Sequence, residues 1–437
     1  MNFKSIYLPI FLFFLTVSCN TSPESEIIID DPVSIVSSKP NIILIIADDL
    51  GKDATPNYTE GITKPFMPNL QNLISTGITF DNLWSYSVCT PTRASILTGK
   101  YGVNTGVLEV GDQISTSETS IQDYIAINTG NDYATAIVGK WHLSNSISDP
   151  TNMGIDYYAG LLNGGVQSYT NWNLVENGQS NTSTEYTTTK FTDLAINWID
   201  NQSKPWFLWL AYNAPHTPFH LAPINLHSQG NLPSDQASID ANLTPYFLSA
   251  VEAMDSEMGR LFDSLTTEER ENTVIIFIGD NGTPGQVVQS PYNRFRAKGS
   301  IYQGGVNVPM IVAGLGVNRM GERESALIHT ADLFATIAEI SGISVQEINN
   351  SSSFYNLLSN SNADQREFVY TEKSDNGISY TVRNGVYKLI VNSDGSEEFY
   401  NLLNDAYETN NLIGTVLSNE ASDAKLLLEL EADRIRL

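Results

Sequence analysis

Four uninterrupted apolar runs recur along the chain, and a cluster of polar residues follows each of them. The runs occupy residues 41–47, 134–138, 206–211 and 273–278. Continuous apolar runs rich in β-branched residues are typical of strands that are buried on both faces of a parallel sheet. In such sheets ligands bind beyond the carboxyl ends of the strands. The pattern therefore predicts a functional site at the sheet edge where the polar clusters meet.

Helical periodicity lies between these runs. Leu70, Leu73 and Ile74 fall on one face of a helix predicted over residues 68–76, and Gly77 is its predicted end. Three further helices are predicted over residues 191–200, 243–265 and 331–341. Strands that alternate with helices indicate an α/β fold with an open parallel sheet.

The pattern changes after residue 345. Short alternating strands are predicted over residues 368–371, 378–383 and 386–391, and a closing helix over residues 418–436. Asn384-Gly385, between the last two strands, predicts a type I′ hairpin turn. We therefore predict a main domain over residues 40–345 and a small antiparallel α+β subdomain over residues 346–437.

The first 18 residues predict an export signal. Their apolar run, residues 6–17, is shorter than the roughly 20 residues that span a bilayer. The run leads into Cys19 through a sequence that resembles a bacterial lipoprotein cleavage box. We expect a lipidated Cys19, a flexible tether over residues 19–39 and an anchor in a cell-envelope membrane, at the periplasmic face or the cell surface. An ordinary cleaved signal peptide is the alternative.

Charge and cysteine content narrow the function classes. The chain has 49 acidic and 23 basic side chains, a formal net charge of −26 with histidine neutral. This excludes a general nucleic-acid binder, and an anionic substrate would need local cations in a cleft. The chain has two cysteines. If Cys19 carries lipid, Cys89 has no disulfide partner and is either an inert core residue or a chemically special one.

Oxygen-bearing side chains follow the first and last of the four apolar runs. These are Asp48-Asp49 and Asp280-Asn281. Adjacent carboxylates repel each other and favour a bound cation. A set of oxygen ligands without Cys or His suits a hard ion such as Ca²⁺ better than zinc. Asp-Asp alone would more often be a solvated loop or a helix cap.

Cys89 lies just before a predicted helix. Pro91 suits the first turn of that helix, and Ile96 and Leu97 give it a buried face. The amino end of a helix favours bound anions and lowers the pKa of a thiol. With Arg93 one turn along, the segment predicts a nest for a tetrahedral oxyanion. A buried cysteine in a packed turn is the structural alternative.

Cys89-x-Pro91-x-Arg93, followed by Leu97-Thr98-Gly99, resembles the signature of type I sulfatases of the alkaline phosphatase superfamily. Other motifs appear in the order found in that family: residues 47–51 (ADDLG), 139–143 (GKWHL), 214–218 (APHTP), 279–282 (GDNG) and 298–300 (KGS). The resemblance extends from about residue 40 to residue 412. It implies a large mixed, mainly parallel sheet flanked by helices, with a small C-terminal antiparallel subdomain.

The resemblance implies a sulfuric ester hydrolase in which Cys89 is oxidised to Cα-formylglycine (3-oxoalanine). A formylglycine-generating enzyme is thus an implied partner during maturation. One hydroxyl of the hydrated aldehyde would attack sulfur, and the other would then expel sulfate and regenerate the aldehyde. One Ca²⁺ per chain would bind a sulfate oxygen, and its implied ligands are Asp48, Asp49, Asp280, Asn281 and the modified Cys89.

The resemblance also assigns roles to cationic and histidine side chains. Arg93, Lys140 and Lys298 would neutralise charge on the sulfuryl oxygens. His142 would contact the hydroxyls of residue 89 and assist the elimination, and His216 would protonate the leaving alcohol. Taken singly, either histidine would more often be structural.

Two positions depart from the family pattern. Gln303 and Asn307 stand where Glu and Arg are common. The change loses an ion pair, and a hydrogen bond between the two side chains could be preserved. It leaves the implied chemistry intact, but it puts local substrate contacts in question.

Three side chains are candidates for substrate binding. Arg294 and Arg296 precede Lys298, and they could bind a uronate or a second sulfate. A solvated loop is the alternative. Trp172 lies in a Gly/Asn/Thr-rich stretch and could stack on the face of a sugar ring.

We expect a Ca²⁺-dependent, lipid-anchored sulfatase that acts on a sulfated carbohydrate, such as a fragment of an algal ulvan. One alternative is a phosphonate or phosphodiester hydrolase of the same superfamily. Asp280-Asn281 argues against it, because those relatives tend to supply histidine there. The other alternative is a non-catalytic lipoprotein that binds sulfated glycans. A non-catalytic protein would be expected to have lost the nucleophile or a metal ligand, and this sequence retains all the residues implied for those roles.

Overall fold

The computed structural model describes residues 39–437. The predicted export signal, the lipidation site at Cys19 and all but the last residue of the tether lie outside the described residues. Over residues 39–437, none of the helices is both long enough and apolar enough to span a membrane.

A large mixed sheet forms the centre of the described chain. Its strands are β1 Asn41–Ala47, β2 Gly77–Trp84, β3 Ala134–Lys140, β4 Tyr157–Leu161, β5 Trp172–Glu176, β6 Gln179–Ser183, β7 Trp206–Ala211, β8 Thr273–Gly279, β9 Asn307–Gly314, β10 Glu322–Glu324 and β11 Ile328–His329. They lie in the order β10-β2-β9-β8-β1-β7-β3-β4-β5-β6, and β11 also pairs with β2. The central strands β8, β1, β7, β3 and β4 are parallel, whereas β9 and β5 are antiparallel to their neighbours. The predicted mixed, mainly parallel sheet is confirmed.

Helices cover both faces of this sheet. The helices are α1 Pro68–Thr76, α2 Cys89–Thr98, α3 Gly102–Thr105, α4 Ile121–Thr129, α5 Asp149–Asn152, α6 Thr187–Ile199, α7 Gln236–Ala241, α8 Leu243–Ser264, α9 Thr267–Glu271, α10 Gln303–Val306, α11 Asp332–Ile340 and α12 Asn419–Arg436. Alternate residues of β1 point to opposite faces, as the pleat requires. Ile43 and Ile45 pack in the cluster with α1, α6 and α8, and Leu44 packs in the cluster with α2, α4 and α11. The four predicted helices exist, and α6 begins four residues before its predicted start.

The C-terminal region contains two small antiparallel sheets. Strands β12 Glu347–Ile348 and β13 Ser351–Ser352 form one of them, and β14 Val369–Ser374, β15 Ile378–Arg383, β16 Tyr387–Val391 and β17 Glu397–Asn401 form the other. Ala424 and Leu428 of α12 pack against Val382 and Leu389 of the four-stranded sheet. The predicted antiparallel subdomain is confirmed as a fold element, and the domain boundary at residue 345 stays a prediction.

The hairpin between β15 and β16 forms, but its predicted turn type is wrong. Neither Asn384 nor Gly385 adopts the positive φ that a type I′ turn requires. Instead, the side-chain Oδ1 of Asn384 accepts hydrogen bonds from the backbone N–H groups of Val386 and Tyr387, at 2.9 and 2.7 Å. The asparagine side chain therefore closes the loop without left-handed backbone.

Candidate active site

The polar clusters that follow the parallel strands meet at one edge of the sheet. Asp48 and Asp49 follow β1, Lys140 ends β3, and Asp280 follows β8. All four side chains are buried, with at most 1% of each residue exposed. Because the parallel strands β8, β1, β7 and β3 end at the same edge of the sheet, the fold brings these groups together.

Asp48 is a fully buried carboxylate with one charged partner at hydrogen-bonding distance. Its Oδ2 lies 2.5 Å from Lys140 Nζ and 3.9 Å from Arg93 Nη2. Its other oxygen, Oδ1, has no hydrogen-bond partner. Burial raises the pKa of Asp48, but the surrounding positive charges, with Lys140 foremost, together outweigh burial, so the pKa lies well below its usual range. Asp48 is therefore ionised and keeps a free oxygen.

Asp49 connects the two acidic motifs. Its backbone lies in the left-handed region, with φ of 71°, and its N–H donates to Asp280 Oδ1 at 3.0 Å. Its Oδ1 accepts a hydrogen bond from Asn281 Nδ2 at 2.8 Å and lies 2.5 Å from Lys298 Nζ. Burial lowers the pKa of Lys298, but the surrounding negative groups, with Asp49 foremost, together more than offset this, so the ammonium stays charged. The turn after β1 thus aims Asp49 at the residues that follow β8.

Cys89 is the first residue of α2, and its side chain is a buried free thiol. The sequence predicted that the helix amino end would lower the pKa of this thiol. The structure contradicts that expectation: burial, and then the nearby Asp48, raise the pKa of Cys89 well above its usual value. The unmodified side chain is therefore a neutral thiol, which is a poor nucleophile.

Arg93 lies one turn into α2 and is fully buried. Its Nη1 donates to the carbonyl oxygen of Lys140 at 2.9 Å, and its Nη2 donates to Asp280 Oδ2 at 2.8 Å. Burial lowers the pKa of Arg93, but Asp280 and Asp48 raise it further, so the guanidinium remains a cation. It joins the start of α2 to the ends of β3 and β8.

Two histidines flank this cluster. Both ring nitrogens of His142 lie 3.3–3.4 Å from Thr90 Oγ1. Burial, then Lys140 and Arg93, lower the pKa of His142 to about 2, so its ring is neutral at pH 7. His216 Nδ1 lies 2.8 Å from the carbonyl oxygen of Thr217, and its Nε2 lies 3.9 Å from Asp49 Oδ2.

A pair of glycines packs against both histidine rings, and sequence reasoning missed it. A Cβ on Gly164 would lie 2.4 Å from the His142 ring, and a Cβ on Gly165 would lie 3.2 Å from the His216 ring. The contact with Thr90 was missed as well. The Gly-Gly dipeptide is visible in the sequence, but only the fold shows which side chains it approaches.

The geometry of the acidic cluster fits a hard cation. One ligand atom from each of Asp48, Asp49, Cys89 and His216 lies within 4.8 Å of the others. In addition, Asp48 Oδ1 and Asn281 Oδ1 are buried without hydrogen-bond partners. Unpaired buried oxygens are costly, and a cation would compensate for them. His216 was not among the predicted ligands.

Asp280 is a predicted metal ligand, but both of its side-chain oxygens already have hydrogen-bond partners. Its two oxygens accept from the Asp49 N–H and from Arg93 Nη2. Burial and the neighbouring Asp48 raise the pKa of Asp280. Asp48 and Asp280 thus compete for the available positive charge, and a bound cation would relieve that competition.

The prediction that Trp172 stacks on a sugar ring of the substrate is wrong. Its indole is 4% exposed, packs edge-on against Phe191 and donates to the carbonyl oxygen of Glu185. Hydrophobic packing fills the space that a sugar ring would need. The polar residues around Trp172 in the sequence suggested a loop, whereas Trp172 is the first residue of β5.

Arg294 and Arg296 point in different directions. The guanidinium of Arg296 stacks on Tyr302 at 4.3 Å and donates to the carbonyl oxygen of Glu408, so it faces the C-terminal segment and not the cluster. Arg294 is exposed, and its backbone lies against Gly285. Gly285 also lines a pocket of about 310 Å³ that Asp49, Thr217 and Lys298 share. Arg294 is thus the one of the two that stays beside the site.

Gln303 and Asn307 are buried at the starts of α10 and β9. Gln303 Nε2 and Asn307 Oδ1 both lack hydrogen-bond partners. The hydrogen bond that the sequence suggested between these side chains is therefore absent.

Residues 40–343 match the family model described as Sulfatase. The chain belongs to the sulfatase family. The predicted enzyme class, a sulfuric ester hydrolase, is confirmed at the level of the family.

Curated relatives of this sulfatase include three bacterial proteins. The "Uncharacterized sulfatase YdeN" of Escherichia coli is 28% identical over 70% of this chain, and the matched part spans 63% of that relative. A "Sulfatase" of Formosa agariphila is 28% identical, over 89% of this chain and 87% of the relative. An "Ulvan-active sulfatase" of the same species is 26% identical, over 94% of this chain and 84% of the relative.

Solved structures share the fold. One, described as a complex with its substrate D-glucosamine-2-N,6-O-disulfate, has a TM-score of 0.77 and 21% identity, and covers 91% of this chain and 98% of its own. Ps i-CgsB in complex with k-i-k-neocarrahexaose has a TM-score of 0.76 and 25% identity, and covers 91% of this chain and 92% of its own. The first likeness supports the alkaline-phosphatase-like fold class predicted from the sequence.

Proposed function

We propose that this sulfatase hydrolyses sulfate esters of a carbohydrate, with fragments of an ulvan-type algal polysaccharide as the first substrate class to test. The likeness to an ulvan-active sulfatase over nearly the whole chain supports this choice. The likeness to a structure bound to neocarrahexaose also supports a carbohydrate.

The observation that carries the proposal is the placement of Cys89 among three cations. Arg93, Lys140 and Lys298 lie close enough to Cys89 for their charges to interact with its thiol. Each of these cations has a carboxylate partner, so the three cations and the proposed Ca²⁺ together would leave positive charge for a tetrahedral anion in a chain of net charge −26.

Two groups complete the proposed chemistry. Cys89, once oxidised by a formylglycine-generating enzyme, would supply the nucleophile as the hydrate of an aldehyde. Asp48, Asp49, Asn281 and residue 89 would hold Ca²⁺, with Asp280 as a further ligand if it turns from Arg93. The ion would supply positive charge to an oxygen of the bound sulfate.

The remaining side chains bind the sulfuryl group and move protons. Lys298, beside Asp49 in the small pocket, neutralises charge on the sulfuryl oxygens. Neutral His142 can accept a hydrogen bond from a hydroxyl group of residue 89 and so orient it for the elimination. If His216 donates from Nδ1 to Thr217, its Nε2 carries a second proton only in the imidazolium form. That form, with Nε2 3.9 Å from Asp49 Oδ2, would give this proton to the leaving alcohol and become neutral.

Sulfate release tests the proposal. Ulvan oligosaccharides and a matched phosphodiester would be supplied to protein made together with a formylglycine-generating enzyme. We expect sulfate release, with loss of at least about 10³-fold in Cys89→Ala. Faster turnover of the phosphodiester would favour the phosphonate or phosphodiester hydrolase. Glycan binding without turnover would favour the non-catalytic lipoprotein.

We also propose that the protein is a lipoprotein of the cell envelope. The apolar run followed by Cys19 supports this. In the native host, Cys19→Ala should move the protein from the membrane fraction to the soluble fraction. An unchanged distribution would contradict lipidation at Cys19.

A further inference from the structure

A second cavity, of about 980 Å³, lies beside the large sheet and the C-terminal hairpin. Lys52, Asn82 and Gln303 line it from the main domain, and Arg383 lines it from β15. None of the residues assigned above to the cation or to the sulfate lines it. Cavities that bind ligands have volumes of roughly 300–1,000 Å³, so it can hold a small molecule.

Two buried cations face this cavity without a carboxylate partner among the described residues. Lys52 is 4% exposed and Arg383 is 5% exposed. Lys52 Nζ donates to the carbonyl oxygen of Asp81, and Arg383 Nη1 donates to Asn82 Oδ1 at 3.0 Å. Both acceptors lie at the irregularity of β2, between Phe80 and Leu83. The bulge in this strand therefore gathers the two cations at one place.

The surroundings compensate these two charges only in part. Burial lowers the pKa of Lys52 to about 8 and that of Arg383 to about 10. A buried charge without a counter-ion is costly, and an anion bound in the cavity would reduce that cost.

The acidic side chains that line the cavity offset only part of the charge of the two cations. Glu60 and Asp81 attract the Lys52 ammonium from a distance, but neither forms an ion pair with it, and Asp81 is paired with Arg323. Asp364 and Glu367 are exposed at the rim. Within the part of the chain that the structure describes, Lys52 and Arg383 are thus left without a direct counter-ion deep in the cavity.

Two unpartnered amide groups provide an independent indication of a ligand. Gln303 and Asn307 are 3% and 9% exposed, and both line the cavity. Gln303 Nε2 is a donor and Asn307 Oδ1 is an acceptor, and neither has a partner. A hydroxyl group can both donate and accept, so a hydroxylated ligand would satisfy both atoms.

We propose that this cavity binds an acidic sugar of monosaccharide size. Its carboxylate or sulfate group contacts Lys52 and Arg383, and its hydroxyl groups contact Gln303 and Asn307. This inference goes beyond the proposed hydrolysis and concerns equilibrium binding, so it does not depend on turnover.

Calorimetric titration of the full chain tests the proposal, with D-glucuronate, inorganic sulfate and uncharged D-glucose as probes. We expect D-glucuronate or sulfate to bind and D-glucose to show no binding. Whichever anion binds identifies the acidic group. Affinity should fall at least tenfold in Lys52→Gln and in Arg383→Gln. It should stay unchanged in Arg270→Gln, the matched control, because Arg270 is an exposed arginine of α9 that does not line this cavity.

A further variant covers the case in which a cation variant does not fold. Asn307→Asp keeps the side-chain shape but adds a negative charge to the cavity, so it should weaken binding of the anion at least threefold. Binding of neither anion would overturn the proposal. Anion binding with the same affinity in every folded variant would also overturn it, because the anion would then lie elsewhere, such as at the active site.

Discussion

Two unpartnered oxygen atoms indicate the proposed cation site more directly than the acidic sequence motif does. Asp48 has one oxygen on Lys140 and one without a partner, and Asn281 donates from Nδ2 while its Oδ1 is unpaired. Buried oxygens in such positions raise the free energy of the metal-free protein. Binding of Ca²⁺ to the native state should therefore stabilise it.

Thermal unfolding with and without Ca²⁺ measures this effect. At a Ca²⁺ concentration of 100 times Kd, linkage predicts stabilisation of about 2.7 kcal/mol, which EDTA should reverse. Asp48→Asn should lose the Ca²⁺-dependent shift. Asp53→Asn is the matched control, because Asp53 is equally buried but hydrogen-bonds to Thr283 and Gln289, away from the cluster. Equal shifts in both variants would exclude Asp48 as a ligand.

Among the structural elements, the loop after β4 packs against the two histidines that we propose to act in catalysis. Gly164 and Gly165 lie against the rings of His142 and His216. These histidines follow different strands, β3 and β7, so one loop contacts both rings. The glycines are therefore positioning residues that act through the histidines.

Gly164→Ala tests this role. The added methyl group would push the His142 ring aside, and misplacement by about 1 Å can lower kcat about 10²-fold. We expect lower kcat for sulfate release with little change in KM and an unchanged melting temperature. Gly385→Ala is the control, since a Cβ there has no atom within 4 Å and φ is not positive. A variant with normal kcat would show that the ring has room to move.

The main strands and the position of the polar residues could be predicted from the sequence. An uninterrupted apolar run, such as those of β1, β7 and β8, is typical of a strand buried in a sheet, and the polar residues that follow it then lie at the edge of that sheet. Trp172 misled because burial of an aromatic residue depends on partners such as Phe191, which are distant in sequence. The raised pKa of Cys89 could not be predicted from the sequence either, because it depends on burial and on the nearby Asp48, which raise the pKa more than the helix amino end lowers it.

At the scale of the whole molecule, one buried ion pair joins the C-terminal sheet to the segment that carries Lys298. Glu408 Oε1 lies 2.5 Å from Lys388 Nζ, and its Oε2 accepts from the Gln303 N–H at 2.7 Å. Lys388 also donates to the carbonyl oxygen of Ile301. Glu408 thus supports the segment behind the active site.

Glu408→Gln should reduce the free energy of unfolding by about 3–5 kcal/mol, because it leaves Lys388 buried without a counter-charge. Urea unfolding measures the change. Glu397→Gln is the control: its ion pair with Lys425 is partly exposed, and its loss should cost at most about 1 kcal/mol. Equal costs in the two variants would contradict the role of Glu408.

A buried histidine makes global stability depend on pH. Burial, and then Arg366, lower the pKa of His329 well below its usual value, and its Nδ1 accepts from the Ala331 N–H. The unfolded chain therefore takes up a proton below about pH 6.5 that the folded chain cannot. This contribution to stability is complete above pH 6.5 and is lost as pH falls.

Urea unfolding at pH 7, 6 and 5 measures that loss. Between pH 6 and pH 5 the wild type should lose about 1 kcal/mol more than His329→Gln. The variant is the reference for every other titrating group. Parallel losses in the two proteins would show that His329 is protonated in the folded state.

The proposed mechanism requires that residue 89 is the modified nucleophile. Mass spectrometry of the tryptic peptide that ends at Arg93, from protein made in the native host, tests this modification. We expect the mass of an aldehyde, or of its hydrate, at residue 89. An unmodified thiol at Cys89 in that protein would contradict it.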